Sequence, residues 1–232
     1  MQEILQRVVR LKYHFALGGM LVLASALCLV LEKVHAQVNG AEVYLFLVFN
    51  LALAWIPFAA AALAYLVRPI KIVFYLLMPI CIVVWLIFFP NAAYLLTDFQ
   101  HLSYTNSNAP LWFDVVVMIW FAWTGLLLGI TSLYLMQELV TRLSSTFVGW
   151  VFAFSATILS SVGVYMGRFL RWNSWDLLYD PIPIARDMVD IVRHPMANLP
   201  TYVFTILFTL LFLFIYIAIH LFGGMMNERK RQ

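Results

Sequence analysis

The stretch FPNAAYLLTDFQH at positions 89–101 gathers an asparagine, a tyrosine, an aspartate and a histidine within a few turns of chain. At about 100° per residue, Asn91, Tyr94, Asp98 and His101 fall in one arc of a helix, and Thr97 and Gln100 widen it. Ala92, Leu95, Phe99 and Leu102 form the adjoining apolar side. If the protein is an enzyme, an aspartate and a histidine spaced i, i+3 would work as a carboxylate orienting an imidazole acid or base, with no matched catalytic motif behind them. Asp98 and His101 are thus the candidate catalytic residues. The same pair with Asp114 has the ligand types of a metal site. The HExxH pattern, paired cysteines and a second histidine on that face are all missing. The polar side of an interfacial helix accounts for these residues more simply, so neither a metal nor a cofactor is expected.

A second polar cluster lies at 168–176, where Arg168, Arg171, Asn173, Trp175 and Asp176 follow closely on one another. A guanidinium fork fits phosphate oxygens, and the phosphates beside a membrane are lipid headgroups and isoprenoid-phosphate carriers. The plain alternative is an ion-pair network with Asp98, Asp114 and Asp176, or arginines snorkelling to the membrane boundary. Arg168, Arg171 and Trp175 share one helical arc if the preceding helix continues that far.

Composition says what must position these side chains. The chain is 232 residues long, 64% hydrophobic and 11% charged, with mean hydropathy +0.92. Soluble domains carry roughly 25% charged residues, so most of this surface faces something other than water. Apolar runs of about 20 residues recur, the length that crosses about 30 Å of hydrocarbon as a helix. A β-barrel would instead show short alternating segments. The expected fold is one all-α integral membrane domain over 1–232, a bundle of six transmembrane helices near 13–31, 43–67, 71–89, 112–136, 146–169 and 201–221. Two short amphipathic surface helices are expected on its outer side, at 91–102 and 183–194. Pro90 suits a helix start, and Gly223-Gly224 suits a helix end. The linker 103–110 is rich in serine and asparagine and predicts a solvated loop. Cys28 and Cys81 sit in apolar runs as small buried hydrophobes. The net charge of +3 argues for no nucleic-acid partner; the partners implied are membrane lipids.

The first apolar span follows Arg7, Arg10 and Lys12, and Val34-His35-Ala36 faintly resembles a cleavage site. The span is long and charged Glu32 and Lys33 precede that site, so a retained first helix is expected. With six spans, nine of the 14 basic residues fall on one side (Arg7, Arg10, Lys12, Arg68, Lys71, Arg142, Arg229, Lys230, Arg231). The other side holds Lys33, Arg168, Arg171, Arg186 and Arg193. That bias places both termini in the cytoplasm. It brings 91–101, Asp114 and 168–176 together at the outer face, where Asp114 and Arg168 are expected to form an ion pair, because charges near hydrocarbon are costly alone.

Two small-xxx-small patterns, Gly125/Gly129 and Gly163/Gly167, predict close helix contacts. The contact expected is Gly125/Gly129 against Ala153/Thr157 of the next helix. Asn50 and the ladder Thr201, Thr205, Thr209 could line a solute path, though such side chains more commonly bond to a neighbouring helix. Against transport, no charged residue stands near the middle of a span. His35 is assigned to the interface without a special role, and Trp172 to the aromatic belt at the membrane boundary.

The strings PNAAYLLTDFQHL, WFD at 112–114 and YMGRFLRWNSWD at 165–176 resemble the bacterial membrane proteins grouped as domain of unknown function 1361. The resemblance runs from about the second span onward. It implies a polytopic inner-membrane protein, and it carries no activity with it. The leading expectation is an outer-face pocket for an anionic headgroup or lipid-like substrate. In it Arg168 and Arg171 hold the anion, while Asp98, His101 and Asp114 order the pocket and Asn91, Tyr94, Asn173, Trp175 and Asp176 complete its walls. The alternatives are a small-solute transporter or channel, and a non-catalytic membrane-assembly protein.

Overall fold

A computed structural model describes residues 2–103 and 108–229, with side chains over 16–102 and 108–225. Loop residues 104–107, Lys230 and Arg231, and the side chains of Arg7, Arg10, Lys12 and Arg229, on which part of the loop and orientation expectations rest, lie outside the described residues. The elements are α1 (Gln2–Asn39), α2 (Leu45–Val67), α3 (Lys71–Tyr94), a 3₁₀ segment (Leu95–Ser103), α4 (Leu111–Leu143), α5 (Thr146–Phe169), α6 (Asp176–Tyr179), α7 (Pro181–Arg193) and α8 (Leu199–Arg229). Six of these helices are long and apolar enough to cross a membrane. The protein is an all-α, multi-pass membrane protein.

In hydrocarbon every backbone N–H must be satisfied within its own segment, which is why the long apolar runs are helices throughout. Apolar faces are turned outward in large number, among them Ile72, Tyr75, Leu76 and Phe214, each more than two-thirds exposed. The interior is built on α4, the most enclosed of the spans. Its Val117, Phe121, Leu128 and Met136 are fully buried against the other helices. Cys28 and Cys81 are free and buried, as small hydrophobes should be.

Three local expectations are corrected. Pro90 does not start a helix: α3 runs through Pro79 and Pro90 to Tyr94, and the Pro90 ring packs where Gly163 of α5 leaves room. A proline within a membrane helix is tolerated when a neighbour packs tightly at that level. The stretch after it is not a surface helix but a 3₁₀ segment set into the bundle, with Leu95 and Asp98 buried. Gly223-Gly224 does not end the last span, which continues to Arg229. With open space around both glycines, nothing forces the helix to break there.

The close glycine contacts also fall elsewhere. A Cβ on Gly125 would overlap Leu95 Cδ1 and stand 2.9 Å from the Ala92 carbonyl oxygen, and one on Gly129 would meet Ala92 Cβ at 3.1 Å. One on Gly163 would meet Pro90 Cγ at 2.6 Å, and one on Gly167 would meet Tyr94 Cε2 at 3.2 Å. Both glycine pairs therefore receive the end of α3, not each other's helix. Ala153 and Thr157 are buried and are not among the nearest neighbours of Gly125 or Gly129, and Thr157 bonds back to its own turn at 2.8 Å.

The second amphipathic helix is α7, as the sequence implies. Ile184 is buried, Met188 and Val192 are exposed, and Arg186 and Arg193 lie on the polar side. Apolar side chains exposed along an otherwise polar helix suit the membrane boundary. At its C-terminal end Asp190 accepts from His194 Nδ1 (2.9 Å) and Asn198 Nδ2 (3.4 Å). Those two donors, His194 first, hold the Asp190 carboxyl below the usual carboxylate range.

Candidate functional site

The end of α3, the 3₁₀ segment, the start of α4 and the end of α5 meet at one end of the bundle. Helix geometry explains why the polar residues converge. In a 3₁₀ helix residues i and i+3 eclipse, so Leu95, Asp98 and His101 line up along one edge. Asp98 and His101 thereby reach the same partner, Arg168, which α5 delivers in its last turn.

Each nitrogen of the Arg168 guanidinium is occupied. Nε donates to Thr97 Oγ1 at 2.8 Å, Nη1 donates to His101 Nε2 at 2.8 Å, and Nη2 forms an ion pair with Asp98 Oδ1. The guanidinium carbon stands 4.1 Å from the centre of the Tyr94 ring, a cation–π contact. Asp98 Oδ2 accepts from Asn50 Nδ2 at 3.1 Å, which brings α2 into the cluster. Thr97 is itself oriented by donating to the Tyr94 carbonyl at 2.6 Å. An arginine has only donors, so His101 Nε2 must accept, and this geometry requires the neutral imidazole protonated on Nδ1. The Asp98 and Arg168 side chains are only 1% and 7% exposed.

The expected Asp114–Arg168 ion pair is not formed. Asp114 lies at the start of α4 and bonds to His35 of α1 at 2.6 Å. The His35 ring packs on Tyr44 (4.5 Å between centroids) and Phe113 (5.7 Å). Arg168 takes the nearer carboxylate that the 3₁₀ turn offers, and Asp114 takes the buried imidazole instead. His35 is therefore a structural partner and not an interfacial bystander. A signal for it exists in the sequence: Leu21, Cys28 and His35 recur at seven-residue spacing and are all buried, the stripe by which α1 faces the bundle.

The 168–176 cluster is also divided. Helix α5 stops at Phe169, so Arg168, Arg171 and Trp175 do not share an arc. Arg171 has φ 62°, in the left-handed region, and the Trp172 N–H reaches back to the Met166 carbonyl at 3.2 Å. A residue in that conformation is a common way to end a helix. Arg171 is exposed and forms no ion pair among the described residues. Asp176 is used locally, accepting from the Asn173 backbone N–H (2.7 Å) and from Asn173 Nδ2 (3.2 Å). Trp172 does more than sit in an aromatic belt, because its Nε1 donates to Asp187 of α7 at 2.7 Å.

Between these walls lies a cavity of about 90 Å³ lined by Asn50, Asn91, Tyr94, Asn173, Ser174 and Trp175, with Gly163 and Gly167 at the back. The hydrogen bonds around it fix the orientation of three amides. Asn50 Nδ2 is committed to a carboxylate, Asn173 Nδ2 to another, and Asn91 Nδ2 to the Phe88 carbonyl (3.1 Å) and Ser174 Oγ (2.7 Å). A carboxylate or carbonyl oxygen can only accept, so the amides cannot be turned round. Their three carbonyl oxygens hold no hydrogen bond among the described residues. Phe49 closes one edge against Trp175, ring centres 6.0 Å apart.

The structure thus brings Asn91, Tyr94, Asp98, His101 and Arg168 together, with Asn173, Trp175 and Asp176 beside them. It separates Asp114 and Arg171 from that group. Asn50, Thr97, Trp172, Ser174 and His35 complete the arrangement. No curated protein and no solved structure gives a significant match to the chain. The sequence model of one family, described as protein of unknown function (DUF1361), matches residues 49–215, which include every residue of the Arg168 cluster. The chain belongs to the DUF1361 family.

Proposed function

We propose that this is an inner-membrane protein whose Arg168 cluster is a structural lock, and whose adjoining pocket binds the hydroxylated head of a lipid-like molecule at the outer face. The observation that carries this reading is the set of free acceptors on Asn50, Asn91 and Asn173, gathered around one small cavity. A pocket lined with acceptors selects hydrogen-bond donors and repels bare anions. At about 90 Å³ the cavity has room for several waters or part of a sugar or polyol headgroup, and not for a whole lipid. Tyr94, Ser174 and Trp175 supply hydroxyls and an aromatic wall. The anionic part of the ligand, if it carries a phosphate, meets Arg171, which is free to pair. Asp98, His101 and Arg168 hold the pocket's shape, Asp176 holds the Asn173 loop, and Asp114 braces α1 beside them.

The self-paired state of Arg168 supports a second reading, in which the cluster only locks helix ends and the protein serves membrane assembly. Native mass spectrometry of the protein purified in mild detergent separates the two. The first reading expects a co-purifying hydroxylated lipid that is lost from Asn91→Leu and Trp175→Ala variants whose melting temperatures are near that of the wild type. Retention of the same lipid by both variants, or no bound lipid in the wild type, would sink it in favour of the second.

A further inference from the structure

A second, larger opening lies between α1 and α2 and is lined by none of the Arg168 cluster's residues. It is a groove of about 800 Å³, inside the range of ligand-binding clefts. Deeper along the same two helices they are joined, Trp55 Nε1 donating to Ser25 Oγ at 3.0 Å. Beyond that bond the helices part, and the turn after α1 closes the far end at Gly40, Ala41 and Glu42.

The wall has two characters. Leu29, Val30, Leu45 and Val48 give it an apolar stretch in which the first three are each about half exposed or close to it. At its upper end stand Glu32, Lys33 and Glu42. Glu32 is the telling residue. It lies on the inward stripe of α1 with Cys28 and His35, is only 6% exposed, and its Oε1 is buried with no hydrogen-bond partner. A buried carboxylate oxygen without a partner costs the full desolvation of that group. Lys33 and Glu42 form no ion pair among the described residues; Lys33 and His35 offset the Glu32 charge only through space, and Glu42 beside it adds like charge. The C-terminal carbonyls of α1 add further negative potential at the same place.

We infer that this groove is a binding site for a phospholipid with a primary-amine headgroup of the ethanolamine type. The ammonium donates to Glu32 and Glu42, the phosphate pairs with Lys33, and the upper acyl chain lies along Leu29, Val30, Leu45 and Val48. Charge complementarity selects this occupant over others. Two carboxylates beside one lysine match a zwitterion whose cation can donate hydrogen bonds. An anionic lipid such as phosphatidylglycerol brings the same phosphate without a cation for Glu32 and Glu42. A quaternary choline carries the charge without any N–H for the empty oxygen.

The test uses the full chain in detergent, with native mass spectrometry against phosphatidylethanolamine, phosphatidylcholine and phosphatidylglycerol of equal chain length. The expected result is at least tenfold greater retention of the ethanolamine lipid than of either competitor. Glu32→Gln should bring that retention down to the level of the competitors without lowering the melting temperature, and Leu45→Trp, which fills the groove, should abolish it. If Glu32→Gln does not fold, Glu42→Gln takes its place, with a loss of threefold or more expected. Equal retention of the three lipids, a preference that survives the glutamine variants, or a dimer that Leu45→Trp dissociates would each overturn the assignment. The last outcome would mean a second copy of the chain occupies the groove.

Discussion

Arg168 offers five N–H donors and a charge, and the fold directs three of them, one from each nitrogen, to Thr97, His101 and Asp98 while Tyr94 covers the guanidinium face. A partner on every nitrogen decides between roles. An arginine that grips a ligand needs an open edge, whereas one that fixes a junction needs every edge bonded. His101 points the same way, because a lone pair already accepting from a guanidinium is not available as a base. Removing the arginine should therefore be felt as loss of stability. Arg168→Ala strands Asp98 in the interior, and breaking a buried pair from one side costs on the order of 3–5 kcal/mol. Arg168→Lys should recover little, since a point-like ammonium cannot serve three partners lying in one plane. Replacing both members, Arg168→Met with Asp98→Leu, should be milder than Arg168→Ala alone. Reversible thermal or denaturant unfolding in detergent measures all three, and a wild-type-like Arg168→Ala would contradict the structural role.

The 3₁₀ segment and the glycine pairs are what make this junction possible at the level of elements. Apolar runs and helix periodicity place all six spans from the sequence, because hydrocarbon leaves the backbone no other solution. Period alone could not show that 95–103 tightens from 3.6 to 3 residues per turn, since the i, i+3 spacing of Asp98 and His101 fits both windings. Nor could it show which helix each glycine meets. The expected partner was the sequential neighbour, but α3 enters between α4 and α5, with Pro90 on Gly163 and Ala92 on Gly129. Asp98 was legible as important and illegible as buried, because its covering partner comes from a residue 70 positions away in sequence. Gly163→Ala tests this arrangement. A Cβ would sit 2.6 Å from Cγ of a proline ring that cannot rotate aside, so α3 and α5 must separate. Overpacking of that kind costs about 1–3 kcal/mol. Gly223→Ala, facing open space, should be neutral in the same unfolding assay, and equal effects at the two glycines would refute the packing argument.

For the whole molecule, the decisive question is which end faces outward, because the pocket and the Arg168 lock lie at a single end. Six spans put the α2–α3 and α4–α5 turns, with Arg68, Lys71 and Arg142, at the opposite end from α7. Lysine and arginine in short turns are held back on the cytoplasmic side during insertion. On the pocket side Lys33 stands alone, and Arg168, Arg171, Arg186 and Arg193 all fall in or beside the single stretch leading from α5 to α8. We propose the orientation that follows, with α7 outside and lying on the membrane, Met188 and Val192 toward lipid. Cysteine scanning reads this directly, since Cys28 and Cys81 are buried and contribute little background. Ala185→Cys on α7 and Ser144→Cys between α4 and α5 are both exposed positions. A membrane-impermeant maleimide should modify the first in intact cells, and the second only after the membrane is opened. Labelling of the Ser144→Cys variant in intact cells would reverse the molecule and place the pocket, and any headgroup it binds, on the inner leaflet.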